Sequence, residues 1–226
     1  STEDNITTVE DPVEYTMEGV NQVQVNEKAG LTFSAALRSI LRQDPDTVLI
    51  GEMRDQETAE IAVKAALTGH LVFSTLHTND APTTITRLID MGIDKFLVSS
   101  CVILVSAQRL VRRICSSCAK QYSPSEDQMR EWEFSEEEIA SKPKLYEAVG
   151  CGKCGNIGYK GRLPLLETMP MNEPLRQVIV SEGNAVQIKR TSLEQGMQTL
   201  RRVGILNALK GSTTMQEVLN VTLADK

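Results

Sequence analysis

The clearest hydrophobic pattern in the chain is Thr47-Val48-Leu49-Ile50, an aliphatic and β-branched run between Asp44-Pro45-Asp46 and Gly51. Such a run with turn residues on both sides predicts a buried strand of a parallel sheet. Ile6-Thr7-Thr8-Val9 predicts a second strand, ending in Glu10-Asp11 and stopped by Pro12. Leu71 to Leu76 predicts a third buried strand, bracketed by His70 and His77. Val13 to Asn26 alternates apolar and polar positions around Gly19, which predicts a β-hairpin or a pair of short strands.

Helical spacing takes over between these runs. Thr32 to Arg42 carries the stripe Leu37, Ile40 and Leu41, with Thr32 or Ser34 as its cap. Gln56 to Leu67 is rich in Ala and closed by Gly69, and a helix capped by Asp80 runs through Ile89 to Gly92. Phe96 to Val111 is more apolar and predicts a helix packed on several sides. From Asn172 onward the pattern is helical again, and Thr214 to Glu217 has capping-box spacing for a last helix. Strands alternating with helices predict an α/β fold with a mostly parallel sheet.

Composition narrows the class of protein. A chain of 226 residues holds one sizeable domain with an appendage, or two small ones. The net charge of -6 argues against a general nucleic-acid binder. Arg109, Arg112 and Arg113 form a local basic cluster, read as the end of a helix facing its own carbonyls rather than as a nucleic-acid or lipid site. No apolar run approaches the roughly 20 residues of a membrane span, and the N-terminus lacks a signal-peptide pattern. The expectation is a soluble, cytoplasmic protein.

Two constellations carry chemistry. In open α/β sheets, ligands sit outside the carboxyl ends of the strands. Glu52 follows one such end, Glu10 and Asp11 close another, and His70 and His77 bracket a third strand. A magnesium-nucleotide site needs one carboxylate for the metal shell and a second group to orient or deprotonate the attacking water. The histidines have no third partner at metal-ligand spacing. The other constellation is Cys115-x-x-Cys118 and Cys151-x-x-Cys154, four thiols that suit a closed tetrahedral Zn²⁺ site. The alternatives are a redox pair, disfavoured because neither motif opens a helix after a strand, and two disulfides, which rank after a metal where no export signal is seen. Cys101, within an apolar stretch, is read as core.

Together these residues resemble a family. Thr8-Val9-Glu10-Asp11-Pro12-Val13-Glu14 resembles the Asp box of the secretion ATPases of type II secretion and type IV pilus systems. Leu41 to Asp46 followed by Ile50-Gly51-Glu52-Met53-Arg54-Asp55 resembles their Walker B box, and Thr68 to Leu71 with Ser74 to Asn79 their His box. Ala107 to Arg112 and Gly158 to Arg162 also match, so the resemblance runs from about Ile6 to Thr222 with the boxes in order.

The resemblance implies a RecA-like P-loop ATPase core (1-111), a zinc-knuckle insertion (112-162) and a helical C-terminal subdomain (163-226). It implies ATP, Mg²⁺ and Zn²⁺ as cofactors. It further implies a homo-hexameric motor acting on an inner-membrane platform protein, peripheral to the cytoplasmic membrane and without nucleic acid as substrate. Carried over, Glu10 is the base for water, Glu52 holds the magnesium shell, and His77 with His70 senses the γ-phosphate region. Asp11 joins the nucleotide-binding group, and Arg54 orders Glu52 or links to a neighbouring subunit. Cys115, Cys118, Cys151 and Cys154 bind zinc, an insertion that assembly and secretion ATPases carry and retraction ATPases lack. One part of the pattern is missing: no G-x-x-x-x-G-K-[ST] loop occurs among these residues. The chain is therefore expected to be a C-terminal piece inactive by itself. The rival expectation is a non-hydrolysing, zinc-dependent interaction module that docks on a motor or its platform. Leu145-Tyr146-Glu147 and Glu167 to Met171 lean toward the pilus branch.

Overall fold

The computed structural model describes residues 4–225. Its elements run β1 (Ile6–Glu10), β2 (Asn21–Gln24), α1 (Phe33–Leu41), β3 (Thr47–Ile50), α2 (Gln56–Leu67), β4 (Leu71–Ser74), α3 (Ala81–Asp90) and α4 (Lys95–Cys101). They continue with β5 (Leu104–Ile114), β6 (Ala119–Tyr122), α5 (Glu126–Glu131), α6 (Glu136–Ala140), β7 (Leu145–Ala148) and β8 (Tyr159–Pro170). Four helices finish the chain: α7 (Glu173–Val180), α8 (Ala185–Glu194), α9 (Leu200–Leu209) and α10 (Met215–Val221). The chain divides into two compact units, one of residues up to Val105 with Pro170–Thr191, the other of Ser106–Met169 with the residues from Ser192 on.

The first unit is built on a four-stranded parallel sheet in the order β2-β1-β3-β4. Register aligns Val9 with Ile50 and Ile50 with Ser74, so the carboxyl ends of three strands lie along one edge. Val9, Val48 and Ile50 are fully buried and pack with Leu37 and Ile40 of α1 and Ala62 of α2. Caps fix where the helices begin: Thr32 accepts from Ala35 N, Asp55 from Thr58 N and Asp80 from Thr83 N, the last with Pro82 in the first turn.

Several expectations are corrected here. No hairpin forms between Val13 and Asn26; only β2 forms, parallel to β1. All of residues 14–19 are exposed, so their alternation has no buried face to define a strand. The helix expected over Phe96 to Val111 ends at Cys101, and β5 takes over from Leu104. The reason is a period of two: Val105, Ala107 and Val111 are buried while Ser106, Gln108 and Leu110 face outward. The basic cluster therefore lies on a strand rather than a helix end. The third strand stops at Ser74, and it is an edge strand with Leu71 and Phe73 exposed at 44% and 52%. Cys101 ends α4 half-buried, and burial raises its thiol pKa.

The second unit pairs β5 with β8, and Ala107, Val111, Leu163 and Leu165 on one side of that ribbon pack against Leu200. A separate cluster joins Met129, Phe134, Ile139 and Leu145 to Ile205, Ala208, Met215 and Val218 of α9 and α10. The acidic stretch from Ser125 thus folds onto the C-terminal helices. Ser125 and Ser135 begin α5 and α6 with complete capping boxes, a local signal the sequence reading did not use. Thr214 caps α10, but the Glu217 carboxylate turns instead to Arg112, 2.5 Å from its Nη2. Among the described residues no helix is long and apolar enough to cross a membrane.

Candidate functional site

The carboxyl edge of the sheet gathers the acidic and imidazole groups. Gly51 extends β3, its N–H donating to Val9 O at 2.8 Å. An added Cβ at Gly51 would lie 3.2 Å from that same oxygen, so a glycine lets β1 and β3 stay close where they leave the sheet. Thr75 donates through Oγ1 to Gly51 O at 2.6 Å, and Met53 N donates to Thr75 O at 3.0 Å. These bonds tie the segment carrying Glu52 to the segment carrying His77.

Glu52 is largely enclosed, at 14% side-chain exposure, and each of its oxygens has a partner. Arg54 Nη2 donates to Oε1 at 2.6 Å, and His77 Nε2 lies 3.0 Å from Oε2. The Arg54 guanidinium holds the Glu52 carboxyl below its ordinary pKa; partial burial opposes this and His77 adds to it. Arg54 is correspondingly raised by Glu52, with Asp11 and Glu27 adding weaker attraction. The carboxylate is therefore kept ionised, as a group facing a hard cation and its waters requires. Glu10 closes β1 on the same edge, and its Oε1 accepts from Thr8 Oγ1 at 2.5 Å and Gln22 Nε2 at 2.9 Å. Asp11 follows it, exposed.

His70 does not join this group. It precedes β4, and the four residues of that strand set it roughly 13 Å of rise away from the carboxyl edge. There its Nδ1 lies 3.0 Å from Ala65 O and 3.1 Å from Thr68 Oγ1, at the C-terminal end of α2. Both histidines flank one strand, but a strand has two ends. Gln22 escaped the sequence reading because its place beside Thr8 is set by parallel register, which local pattern does not reveal.

The four cysteines converge. Cys115 follows β5, Cys118 precedes β6, Cys151 follows β7 and Cys154 ends a short 3-10 turn. Antiparallel pairing of Ala119 with Ala148 brings the two motifs together. All four Sγ atoms lie within 4.8 Å of one another, with Cys115–Cys151 at 4.0 Å and Cys118–Cys154 at 3.9 Å. A tetrahedron of sulfurs about 2.3 Å from Zn²⁺ has edges of roughly 3.8 Å, so the cluster fits that ion. Burial works against the Cys154 thiolate, yet N–H donors of Cys151 and Gly158 at 3.2 Å bring it down to about 6. Burial and the neighbouring sulfurs push Cys118 up to about 12, so four thiolates here require a cation. Gly158 provides its donor from a left-handed backbone, where a Cβ would meet Ala148 Cβ at 2.6 Å.

A family model described as "Type II/IV secretion system protein" matches residues 1–220. The chain belongs to that family. It is 50% identical over 219 residues to the type IV pilus assembly ATPase PilB of Thermus thermophilus, covering 97% of this chain and 24% of that protein. PilB of Acinetobacter baylyi is 50% identical, with 96% and 38% covered. Type II secretion system protein E of Pseudomonas aeruginosa is 49% identical, with 96% and 43% covered. The chain thus spans less than half the length of these relatives. Among solved structures, the pilus retraction motor PilT with bound ADP superposes with a TM-score of 0.69 at 28% identity, covering 98% of this chain and 53% of that one. The Legionella pneumophila ATPase DotB shares the fold, with a TM-score of 0.65 at 21% identity, covering 96% of this chain and 51% of that one.

Membership in the secretion family and the α/β architecture agree with the resemblance carried by the Asp, Walker B and His boxes. The four-cysteine cluster lies outside those boxes, held by β6 and β7 in the second unit.

Proposed function

We propose that the intact protein is an ATP-hydrolysing motor subunit of a ring, driving type IV pilus assembly or type II secretion through an inner-membrane platform protein on the cytoplasmic side. The reading rests above all on Glu52, an ionised carboxylate at the carboxyl edge of a parallel sheet, oriented on both oxygens by Arg54 and His77. Relatives named pilus assembly ATPase and type II secretion protein E, at about half identity, support the same class of machine. Leu145-Tyr146-Glu147 and Glu167 to Met171 favour the pilus branch.

In this reading Glu52 holds the metal shell, while Arg54 sets its orientation and joins Asp11 in the nucleotide-binding group. When bound, Mg²⁺ neutralises charge on the β- and γ-phosphates. Glu10 is the base for the attacking water, with one oxygen fixed by Thr8 and Gln22 and the other without a protein partner among the described residues. His77, highly exposed, reaches the γ-phosphate region. Zinc on Cys115, Cys118, Cys151 and Cys154 is structural, since four protein ligands leave no open position. Residues 1-111, 112-162 and 163-226 form the core, zinc-binding and C-terminal functional parts.

The test is phosphate release. The full-length protein should hydrolyse ATP and lose turnover in Glu52→Gln. The present chain alone, which contains no phosphate-binding loop, should show none. Turnover by this chain that is lost in Glu52→Gln would overturn the need for such a loop. A full-length protein with no turnover would favour the interaction module.

A further inference from the structure

Glu10 does not stand alone at the end of β1. Side chains two residues apart on a strand share a face, which puts Thr8 beside Glu10. Parallel register places Gln22 of β2 opposite Thr8. Both donate to the same oxygen of Glu10, Thr8 Oγ1 at 2.5 Å and Gln22 Nε2 at 2.9 Å. The Gln22 amide is fixed at its other end, because Oε1 accepts from Met17 N at 2.7 Å. Nε2 also donates to Tyr15 O at 3.0 Å. An acceptor tied to a backbone N–H leaves only the NH₂ group to face the carboxylate.

We propose that Gln22 is a positioning residue for Glu10, holding Oε1 so that Oε2 is the lone acceptor presented to water, and that it links this orientation to the 15–17 segment. The inference rests on reading Glu10 as the base. A base must keep one lone pair directed at the proton it takes, and a carboxylate free to rotate spends much of its time misdirected. Two donors on one oxygen remove that rotation. The linked segment is exposed, Tyr15 at 82% and Met17 at 48%, so whatever displaces it acts on Glu10 through one side chain.

The experiment measures ATP hydrolysis by the full-length protein in Glu10→Gln, Gln22→Leu, Gln22→Glu, Thr8→Val and the double variant Glu10→Gln/Gln22→Leu. Gln22→Leu should lower kcat about 10- to 100-fold with KM for ATP unchanged. Gln22→Glu keeps the shape and the acceptor facing Met17 N but loses the donor, so it should lower kcat as much. In the Glu10→Gln background, Gln22→Leu should cost nothing further, which a general loss of structure would not reproduce. If Glu10→Gln keeps full kcat, the base reading and this inference both fall. If Glu10→Gln is strongly impaired but Gln22→Glu and Thr8→Val turn over normally, or the Gln22→Leu effect multiplies with that of Glu10→Gln on its residual rate, the inference is overturned and the base reading stands. Should Gln22→Leu fail to fold, Gln22→Glu and Thr8→Val decide alone.

Discussion

His77 Nε2 lies 3.0 Å from Glu52 Oε2, a contact between a side chain that is 86% exposed and one that is 14% exposed. Replacing Glu52 by Gln should lower kcat of the full-length protein about 100-fold or more, the scale on which a placed charge acts in an active site. His77→Ala should lower it less, because Arg54 still holds Oε1. Steady-state phosphate release checks both, and a Glu52→Gln variant with normal turnover would remove Glu52 from the metal shell.

Arg112 and Glu217 give a pH dependence of stability. The Arg112 side chain, opposed by burial and aided by its backbone N–H at 3.0 Å, holds the Glu217 carboxyl below its ordinary 4.5. A depressed pKa contributes stability that is full above 4.5 and disappears as pH falls through the folded value. Glu217→Gln should therefore be less stable at neutral pH by about 1.5 kcal/mol, kept low because Arg112 is half exposed. Its thermal midpoint should also fall less steeply below pH 4.5 than that of the unsubstituted chain. Some slope remains, because Arg202 depresses Glu138 in the same window. Identical acid limbs for the two proteins would contradict this.

One zinc per chain is expected in reduced protein, by elemental analysis. Cys115→Ser and Cys154→Ser should lose it, and chelation should lower the unfolding temperature, because metal binding here is folding free energy. Hydrogen exchange should loosen residues 115–154 while β1, β3 and β4 keep their protection. A metal-free reduced protein with the same midpoint rules the site out.

Gly204 on α9 faces Val218 on α10, and a Cβ there would lie 2.3 Å from Val218 Cγ1. Gly204→Ala gains about 1 kcal/mol of helix propensity but overpacks a core where Val218 is fully buried, costing about 1–3 kcal/mol. Denaturant unfolding should show a net loss, regained in part by the double variant Gly204→Ala/Val218→Ala. A more stable single variant would show that the helices move apart freely.

β4 ends the sheet with Leu71 and Phe73 exposed, an edge of the kind that pairs with other chains. Light scattering on the present chain should detect self-association that Phe73→Lys reduces. A monodisperse monomer with a cooperative thermal transition would show that the edge is protected.

Much of this is legible in sequence where the signal is local. Gln56–Leu67 matches the expected helix end for end, because Asp55 caps it and its Ala-rich run has one period. That Glu10, Glu52 and His77 lie along one edge follows from strand ends in a parallel sheet. The misses are non-local or depend on period. Residues 104–111 are apolar enough for a helix, yet alternate. His70 precedes β4 as its place in the chain requires, and so sits at the end of the strand away from Glu52. Gln22 reaches Glu10 only through register, and the exposure of Phe73 depends on which strand ends the sheet.

The two compact units exchange chain at Val105, Met169 and Thr191. For a polypeptide made from its N-terminus, this sets a schedule. The first unit, though it comes first along these residues, lacks α7 and most of α8 until Thr191 has been synthesised. At ribosomal speed that is on the order of ten seconds after Val105. Until then α4 has no Glu182 for Lys95, the pair that closes to 2.7 Å in the finished fold. The cysteines of the other unit all emerge while the first is still unfinished, so the four sulfurs can come together before the sheet-bearing unit is complete.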